Sequence, residues 1–120
     1  MANDFGIDSH KLSLHPERVS QWLKGNDNWD DAQKIYPIYV EISPSGLCNH
    51  SCSFCGLDFT PQSKAVFLKT SVLKDRLSEM AGLGIKSVMF AGEGEPLLHN
   101  DMTEITMHAK KTGIDTAFTT

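Results

Sequence analysis

The sequence predicts an α/β fold, in which short strands alternate with helices and pair in parallel. Three segments rich in β-branched and apolar residues are separated by two segments whose apolar residues recur at helical spacing. The middle strand segment, residues 85–91, is almost continuously apolar, as expected for a parallel strand that is buried on both faces. With 120 residues and a hydrophobic content of 40%, the chain is long enough to bury one ordinary core.

Residues 1–35 are predicted to be an N-terminal lead-in with one short helix. Pro16 suits the first turn of this helix, where its missing N–H is not needed, and Gly25 suits its end. The residues after Gly25 are rich in Asn and Asp, and they are predicted to form a turn-rich linker. Trp22 and Trp29 are predicted to pack the lead-in against the rest of the domain.

The first strand is predicted over residues 36–43, because the β-branched residues Ile38, Val40 and Ile42 alternate with other residues there. The strand leads directly into a segment that contains all the cysteines of the chain. A long segment without a helical or strand pattern follows, from Gly56 to about Thr70. Loops of this length are uncommon in compact domains, so this one is expected to serve a site.

Two helices and two further strands complete the pattern. Ser71 is predicted to cap the first of these helices, and two glycines end it before the strand at residues 85–91. Asp101 and Glu104 are predicted to form a capping-box-like start to the next helix, and residues 114–120 form the third strand. The apolar stripe of the first helix, at i, i+4, i+7 and i+8, consists of Leu73, Leu77, Met80 and Ala81.

The most informative local feature is a cluster of cysteines, Cys48, Cys52 and Cys55, which are the only three in the chain. An odd number of cysteines in one short segment cannot form a disulfide framework, which needs pairs that close distant loops. Metal binding is therefore the economical interpretation. Iron–sulfur cubes are usually held by four thiolates, so a segment with three would leave one iron open to a substrate or cofactor.

Zinc is the alternative metal. His50 lies between two of the cysteines and could complete a Cys3His set with short ligand spacing. However, structural zinc sites usually draw ligands from two separate knuckles, and the sequence has no second Cys/His pair. Iron–sulfur binding is therefore favoured over zinc.

Two segments carry a resemblance to a known family. The Cys-x3-Cys-x2-Cys spacing, with Phe54 directly before the last cysteine, resembles the signature of the radical S-adenosylmethionine (radical SAM) superfamily. Residues 91–98 resemble the Gly-Gly-Glu-Pro segment of that superfamily, with Glu93 where its first Gly usually stands. Residues 11–44 also resemble the lead-in of some radical SAM proteins. Both motifs follow a predicted strand, which is the end at which βα barrels build active sites.

The resemblance implies a fold and two cofactors. Residues 36–120 would be the first β-α-β-α-β part of a radical SAM partial TIM barrel, with the chain ending inside the third strand as a fragment would. A [4Fe–4S] cluster would be held by the three cysteines and would bind SAM at its open iron. Glu95 and the backbone of Gly94 would orient the SAM ammonium, with Gly92 and Glu93 beside them, and Phe54 would pack near the cluster or the adenine.

The implied reaction is the reductive cleavage of SAM to methionine and a 5′-deoxyadenosyl radical, which then takes a hydrogen atom from a substrate. The substrate would be an unidentified small molecule or peptide, and a flavodoxin or ferredoxin would supply the electron. Two other classes stay open from the residues alone. One is an iron–sulfur protein for electron transfer or sensing, and the other is a zinc-stabilised interaction module.

Composition excludes other functions. The net charge is −4 at pH 7, so the chain offers no basic surface for nucleic acid. No apolar stretch approaches the ~20 residues of a membrane span, and the N-terminus lacks an apolar signal region. The expected location is the reducing cytoplasm, which also suits an oxygen-sensitive cluster.

Simpler interpretations accompany the functional ones. Glu95 directly precedes a proline and could be a turn carboxylate. His99 is predicted to be a surface or interface residue. The methionines at helix and strand positions are predicted to fill the core, and they are Met80, Met89, Met102 and Met107.

Overall fold

A computed structural model describes residues 10–56 and 66–120. Two helices form the lead-in, and three strands alternate with two further helices in the rest of the described chain. Single 3-10 turns lie at Leu12–Leu14 and Pro96–Leu98. In chain order the elements are α1 (Pro16–Gly25), α2 (Trp29–Ala32), β1 (Tyr39–Ile42), α3 (Thr70–Gly82), β2 (Ser87–Phe90), α4 (Met102–Lys111) and β3 (Asp115–Phe118).

The three strands form one parallel sheet in the order β1-β2-β3. At its carboxyl edge Ile42 is aligned with Phe90, and Phe90 with Phe118. The prediction of an α/β fold with parallel strands is confirmed. Since the strands run in the same direction, the loops that follow β1 and β2 leave the sheet side by side.

The hydrophobic core lies between one face of the sheet and the helices α3 and α4. Leu77 of α3, Ile105 of α4 and Phe90 of β2 are each 0% exposed. Val40 and Ile42 of β1 pack against this core from the edge of the sheet. The core therefore holds β1 and β2, which carry the two motif loops, in a fixed relation. The remaining buried members of the cluster are Leu73, Ile85, Val88, Met102, Ala109 and Ile114.

The methionines predicted to fill the core differ in their positions. Met102 is part of the core and Met80 packs against it. The prediction is wrong for Met107 of α4, which is 56% exposed.

The opposite face of the sheet is more polar. Tyr39 and Glu41 alternate with the core-facing residues of β1, and the Tyr39 hydroxyl donates a 2.6 Å hydrogen bond to Glu41 Oε1. This hydrogen bond, with smaller contributions from burial and from the negative charge of Glu41, raises the pKa of Tyr39 to about 12. Met89 of β2 is aligned with Glu41 on the same face.

The lead-in departs from prediction after α1. The segment predicted as a linker contains the short helix α2, because the Asn28 side chain caps it by accepting a hydrogen bond from the N–H of Asp30 (2.9 Å). The prediction that Trp29 packs against the domain is wrong, since 75% of its surface is exposed. Ile35 fills the contact between α1 and α2 instead, where its Cδ1 lies against Gly25.

Neither helix cap has the structure that the sequence predicted. The helix α3 begins at Thr70 rather than after Ser71, and its N-cap Lys69 makes no side-chain cap bond. Asp101 is the N-cap of α4 but does not cap it through its side chain. Its carboxylate is bonded to a distant residue instead, since Asp101 Oδ2 accepts a 2.5 Å hydrogen bond from the hydroxyl of Thr70. This bond links the starts of the two helices.

Within the described ranges, none of the helices combines the length and the apolar character needed to cross a bilayer.

We expect the Leu77→Ala variant to lower the free energy of unfolding by about 2–5 kcal/mol, because it leaves a cavity between α3 and the sheet. Val72→Ala on the same helix is the control. Its side chain is 47% exposed, so its effect should stay within about 0.5 kcal/mol. Urea denaturation of both variants checks this expectation, and equal effects would contradict the assignment of the core.

Candidate functional site

Two loops at the carboxyl edge of the sheet contain every site residue that the sequence predicts. We call residues 43–56, after β1, the cysteine loop, and residues 91–98, after β2, the Gly-Glu-Pro loop. Because β1 and β2 are neighbours in the sheet, the loops start side by side. The N–H of Ala91 donates to the carbonyl of Ile42 (3.0 Å), so the pairing continues to the point where the loops begin.

The base of the cysteine loop is tightly bonded. Ser45 is 1% exposed, and its hydroxyl donates to the carbonyl of Leu47 (2.9 Å) and accepts from the N–H of Leu47 (3.1 Å). The chain returns beside this segment, where the N–H of Gly46 donates to the carbonyl of Val66 (2.7 Å). The N–H of Leu68 donates to the carbonyl of Pro44 (3.0 Å). These bonds hold the base of the loop on both sides.

The Gly-Glu-Pro loop lies directly on this base. The N–H of Glu93 donates to Ser43 Oγ (3.1 Å), and the N–H of Glu95 donates to the carbonyl of Leu47 (2.9 Å). Gly92 has a φ of 111°, a conformation that other residues rarely adopt, and it lies against Ser43. The two predicted motifs are therefore joined by one backbone hydrogen bond immediately before Cys48 and by a second bond to the side chain of Ser43.

Gly94 allows the two loops to approach this closely. A Cβ at this position would lie 2.4 Å from the carbonyl oxygen of Ser45 and 2.5 Å from that of Leu47. Both contacts are far shorter than a van der Waals contact, and both are to backbone atoms that cannot rotate away. Only glycine fits at this position.

Glu95 is the buried carboxylate of the site, with 5% of its surface exposed. Its Oε1 accepts a 2.9 Å hydrogen bond from the N–H of Leu97 and so caps the 3-10 turn that follows. The interpretation of Glu95 as a turn carboxylate is therefore confirmed for this oxygen. Its Oε2 lies 4.0 Å from Nε2 of His50, which reaches across from the cysteine loop.

The three cysteines are half-buried, and all three thiols are free. The N–H of Cys55 donates to the carbonyl of Cys52 (2.9 Å), which turns the chain between these two residues. Even so, the described residues contain no group of three or more Cys, His, Asp or Glu side chains that is arranged to hold a metal ion. Free thiols on one short loop are the ligand type that iron–sulfur clusters use, so the donor set fits such a cluster by its chemistry.

Phe54 is exposed at the tip of the cysteine loop. Its side chain is 91% exposed, so it packs against neither the Gly-Glu-Pro loop nor the core. Much of the following segment predicted to serve the site, residues 57–65, lies outside the described residues.

His99 is a residue whose role the sequence did not reveal. It was predicted to lie at the surface or at an interface, and the first of these alternatives is wrong, since it is 6% exposed. Its Nδ1 accepts from the N–H of Asp101 (3.2 Å), so its Nε2 carries the proton and donates to the carbonyl of Leu68 (2.7 Å). The ring of Phe67 meets it edge-on at 5.9 Å. His99 thus ties the returning end of the long loop to the start of α4.

Comparison with known proteins agrees with the motifs. A family model described as the radical SAM superfamily matches residues 42–120. A GTP 3′,8-cyclase of Chlorobaculum tepidum is 37% identical over 81 residues, which cover 65% of this chain and 23% of that protein. A PqqA peptide cyclase of Rhodopseudomonas palustris is 31% identical over 80 residues, which cover 67% of this chain and 21% of that protein.

A third relative, a GTP 3′,8-cyclase of Listeria monocytogenes, is 38% identical over 71 residues, which cover 56% of this chain and 20% of that protein. The chain thus spans less than a quarter of the length of these curated relatives.

We expect Gly94→Ala to destabilise the protein by about 1–3 kcal/mol, because the added methyl group forces the two loops apart. Gly82→Ala is the matched control, because a Cβ there meets no heavy atom of the described residues within 4 Å. It ends α3, so alanine should be neutral or slightly stabilising there. Urea denaturation measures both effects, and equal stability of the two variants would contradict the close approach of the loops.

Proposed function

This chain belongs to the radical SAM superfamily, and on that premise we propose that it binds a [4Fe–4S] cluster and S-adenosylmethionine as part of a radical SAM enzyme. The cluster would be held by Cys48, Cys52 and Cys55. The observation that carries the proposal is the hydrogen bond from the N–H of Glu95 to the carbonyl of Leu47. It joins the Gly-Glu-Pro loop to the residue before the first cysteine.

The number of thiols supports a cluster that also binds a cofactor. Three thiolates leave one iron of a [4Fe–4S] cluster without a protein ligand, and the amino and carboxylate groups of SAM suit that position. The position of His50 argues against a Cys3His zinc site, since its Nε2 lies beside Glu95.

Glu95 is suited to the amino group of SAM. The N–H of Leu97 occupies Oε1 and fixes the direction of the carboxylate, so we assign Oε2 as the acceptor for an N–H of that amino group. A buried carboxylate accepts such a hydrogen bond more strongly than an exposed one, because less water competes. The exposed ring of Phe54 would pack on the adenine or near the cluster.

The other residues of the Gly-Glu-Pro loop would contribute backbone. The N–H of Glu93 is bonded to Ser43, so we assign its carbonyl rather than its N–H to the cofactor. Gly92 and Gly94 would keep the loop close to the cysteine loop, where a side chain would displace it.

The cluster, when bound and reduced, supplies the electron that cleaves SAM and so starts radical chemistry on a substrate. The residues described above would bind and orient the cofactors, and the parallel sheet would be the first part of a β/α barrel. The relatives are named for two different substrates, GTP and the PqqA peptide, and each matches more than half of this chain. The part that both relatives share with this chain would therefore be independent of the substrate.

A complete enzyme would take a small molecule or a peptide as its substrate. A flavodoxin or ferredoxin would reduce the cluster, and the reducing cytoplasm would protect it from oxygen.

We expect each of the variants Cys48→Ala, Cys52→Ala and Cys55→Ala to lose most of the iron and sulfide that the wild-type protein takes up in anaerobic reconstitution. His50→Ala should retain both, because a three-thiolate cluster needs no imidazole. Iron, sulfide and zinc analysis of the four variants measures this. One zinc per chain that is lost in His50→Ala would instead establish the Cys3His site.

We expect Glu95→Gln to weaken SAM binding to the reconstituted protein by about 10- to 100-fold, because a charge-assisted hydrogen bond is replaced by a neutral one. Glu104→Gln makes the same change on the surface of α4, beside Lys74, and should bind SAM as the wild type does. Equilibrium dialysis with labelled SAM gives both dissociation constants. If Glu95→Gln bound SAM as tightly as the wild type does, Glu95 would not be a residue that binds the cofactor.

A further inference from the structure

The hydroxyl of Ser45 lies where the two loops meet. Ser45 is 1% exposed, so water does not compete for its hydroxyl. Its Oγ donates to the carbonyl of Leu47 (2.9 Å) and accepts from the N–H of the same residue (3.1 Å). Both polar backbone groups of Leu47 are therefore held by one side chain two residues earlier in the chain.

The peptide group held in this way continues into the first cysteine. The carbonyl of Leu47 and the N–H of Cys48 belong to one planar peptide unit. The orientation of the Leu47 carbonyl therefore sets the direction in which the chain enters Cys48. The same carbonyl accepts a hydrogen bond from the N–H of Glu95 (2.9 Å). Both of its lone pairs are therefore used, one by Ser45 and one by the Gly-Glu-Pro loop.

A displacement of Leu47 would be transmitted to the other loop. A Cβ on Gly94 would lie 2.4 to 2.8 Å from the Ser45 carbonyl oxygen and from the carbonyl oxygen and amide nitrogen of Leu47. The two backbones are thus in direct contact, with no side chain between them to absorb a change. Ser43 adds a parallel link, since its Oγ donates to the carbonyl of Ser45 (3.1 Å) and accepts from the N–H of Glu93 (3.1 Å).

We propose that Ser45 is a positioning residue for the cofactor site. Its hydroxyl fixes the Leu47–Cys48 peptide against Glu95 and thereby sets the distance between the first cluster ligand and the carboxylate for SAM. This role rests on the proposed function. The positioning itself is a property of the protein without cofactors and can be measured there.

The first test is hydrogen–deuterium exchange of the protein without cofactors. Ser45→Ala should speed exchange of the Leu47 and Glu95 amides at least about tenfold, because the alanine cannot hold the Leu47 peptide. Ser45→Thr keeps the hydroxyl and should exchange nearly as the wild type does. The control is Ser87→Ala, which also removes a buried hydroxyl, but one without a hydrogen-bond partner in the described residues.

Exchange confined to the two loops supports the proposal. Unchanged protection of Leu47 and Glu95 in Ser45→Ala would overturn it. Faster exchange that spreads equally over α3 and α4 would also overturn it, because Ser45 would then be a residue of general folding stability.

The second test uses the reconstituted protein. Ser45→Ala should keep the iron and sulfide content of the wild type but bind SAM at least about tenfold more weakly. Its electron paramagnetic resonance spectrum with SAM should also differ in shape, while Ser45→Thr and Ser87→Ala match the wild type. Equal SAM affinity and spectra for Ser45→Ala and wild type would overturn the cofactor role. A wild-type protein that binds no cluster would instead refute the proposed function. The hydrogen–deuterium exchange result would still test whether Ser45 positions the two loops.

Discussion

The hydrogen bond from the N–H of Glu95 to the carbonyl of Leu47 is the interaction on which the candidate site depends. It joins a loop that carries thiols to a loop that carries a buried carboxylate. Neither loop is part of a strand or an α-helix at this point, so this bond and the one from the N–H of Glu93 to Ser43 Oγ hold the loops together. It can form only because residue 94 is a glycine, whose missing side chain leaves room for the two backbones.

The fold supplies the conditions for this contact. Parallel pairing of β1 with β2 places the ends of the two strands next to each other, and the core beneath the sheet keeps them there. The chain returns to the sheet edge after the cysteine loop, and backbone hydrogen bonds to Pro44 and Gly46 hold it there. His99 adds a buried link from Leu68 to the start of α4. The half-buried thiols are thus carried on a base that hydrogen bonds hold on both sides, which would suit a loop that binds a cluster.

Much of the fold follows from local patterns in the sequence. The alternation of Ile38, Val40 and Ile42 predicted β1, and Pro16 and Gly25 predicted the ends of α1. The chemical character of the site was also predictable, because cysteine spacing and a Gly-Glu-Pro motif are local signals. Family membership was recognisable from the same residues.

The features that the sequence did not reveal depend on distant partners. Asp101 was expected to cap α4, but its carboxylate binds Thr70, which lies 31 residues earlier. His99 was expected at the surface or at an interface, and its contacts with the carbonyl of Leu68 and the ring of Phe67 could not be foreseen. The contact of Gly94 with Ser45 and Leu47 is of the same kind. The hydrophobic periodicity of the sequence does not predict such pairs, because they depend on how the loops fold over the edge of the sheet.

The central claim is that the cysteine loop and the Gly-Glu-Pro loop form one site in which a cluster and SAM meet. Electron paramagnetic resonance of the anaerobically reconstituted, dithionite-reduced protein, recorded with and without SAM, tests it most directly. We expect a [4Fe–4S]⁺ signal whose shape changes when SAM is added, because SAM would bind the open iron. A cluster signal that SAM leaves unchanged would contradict the claim and would favour an electron-transfer protein.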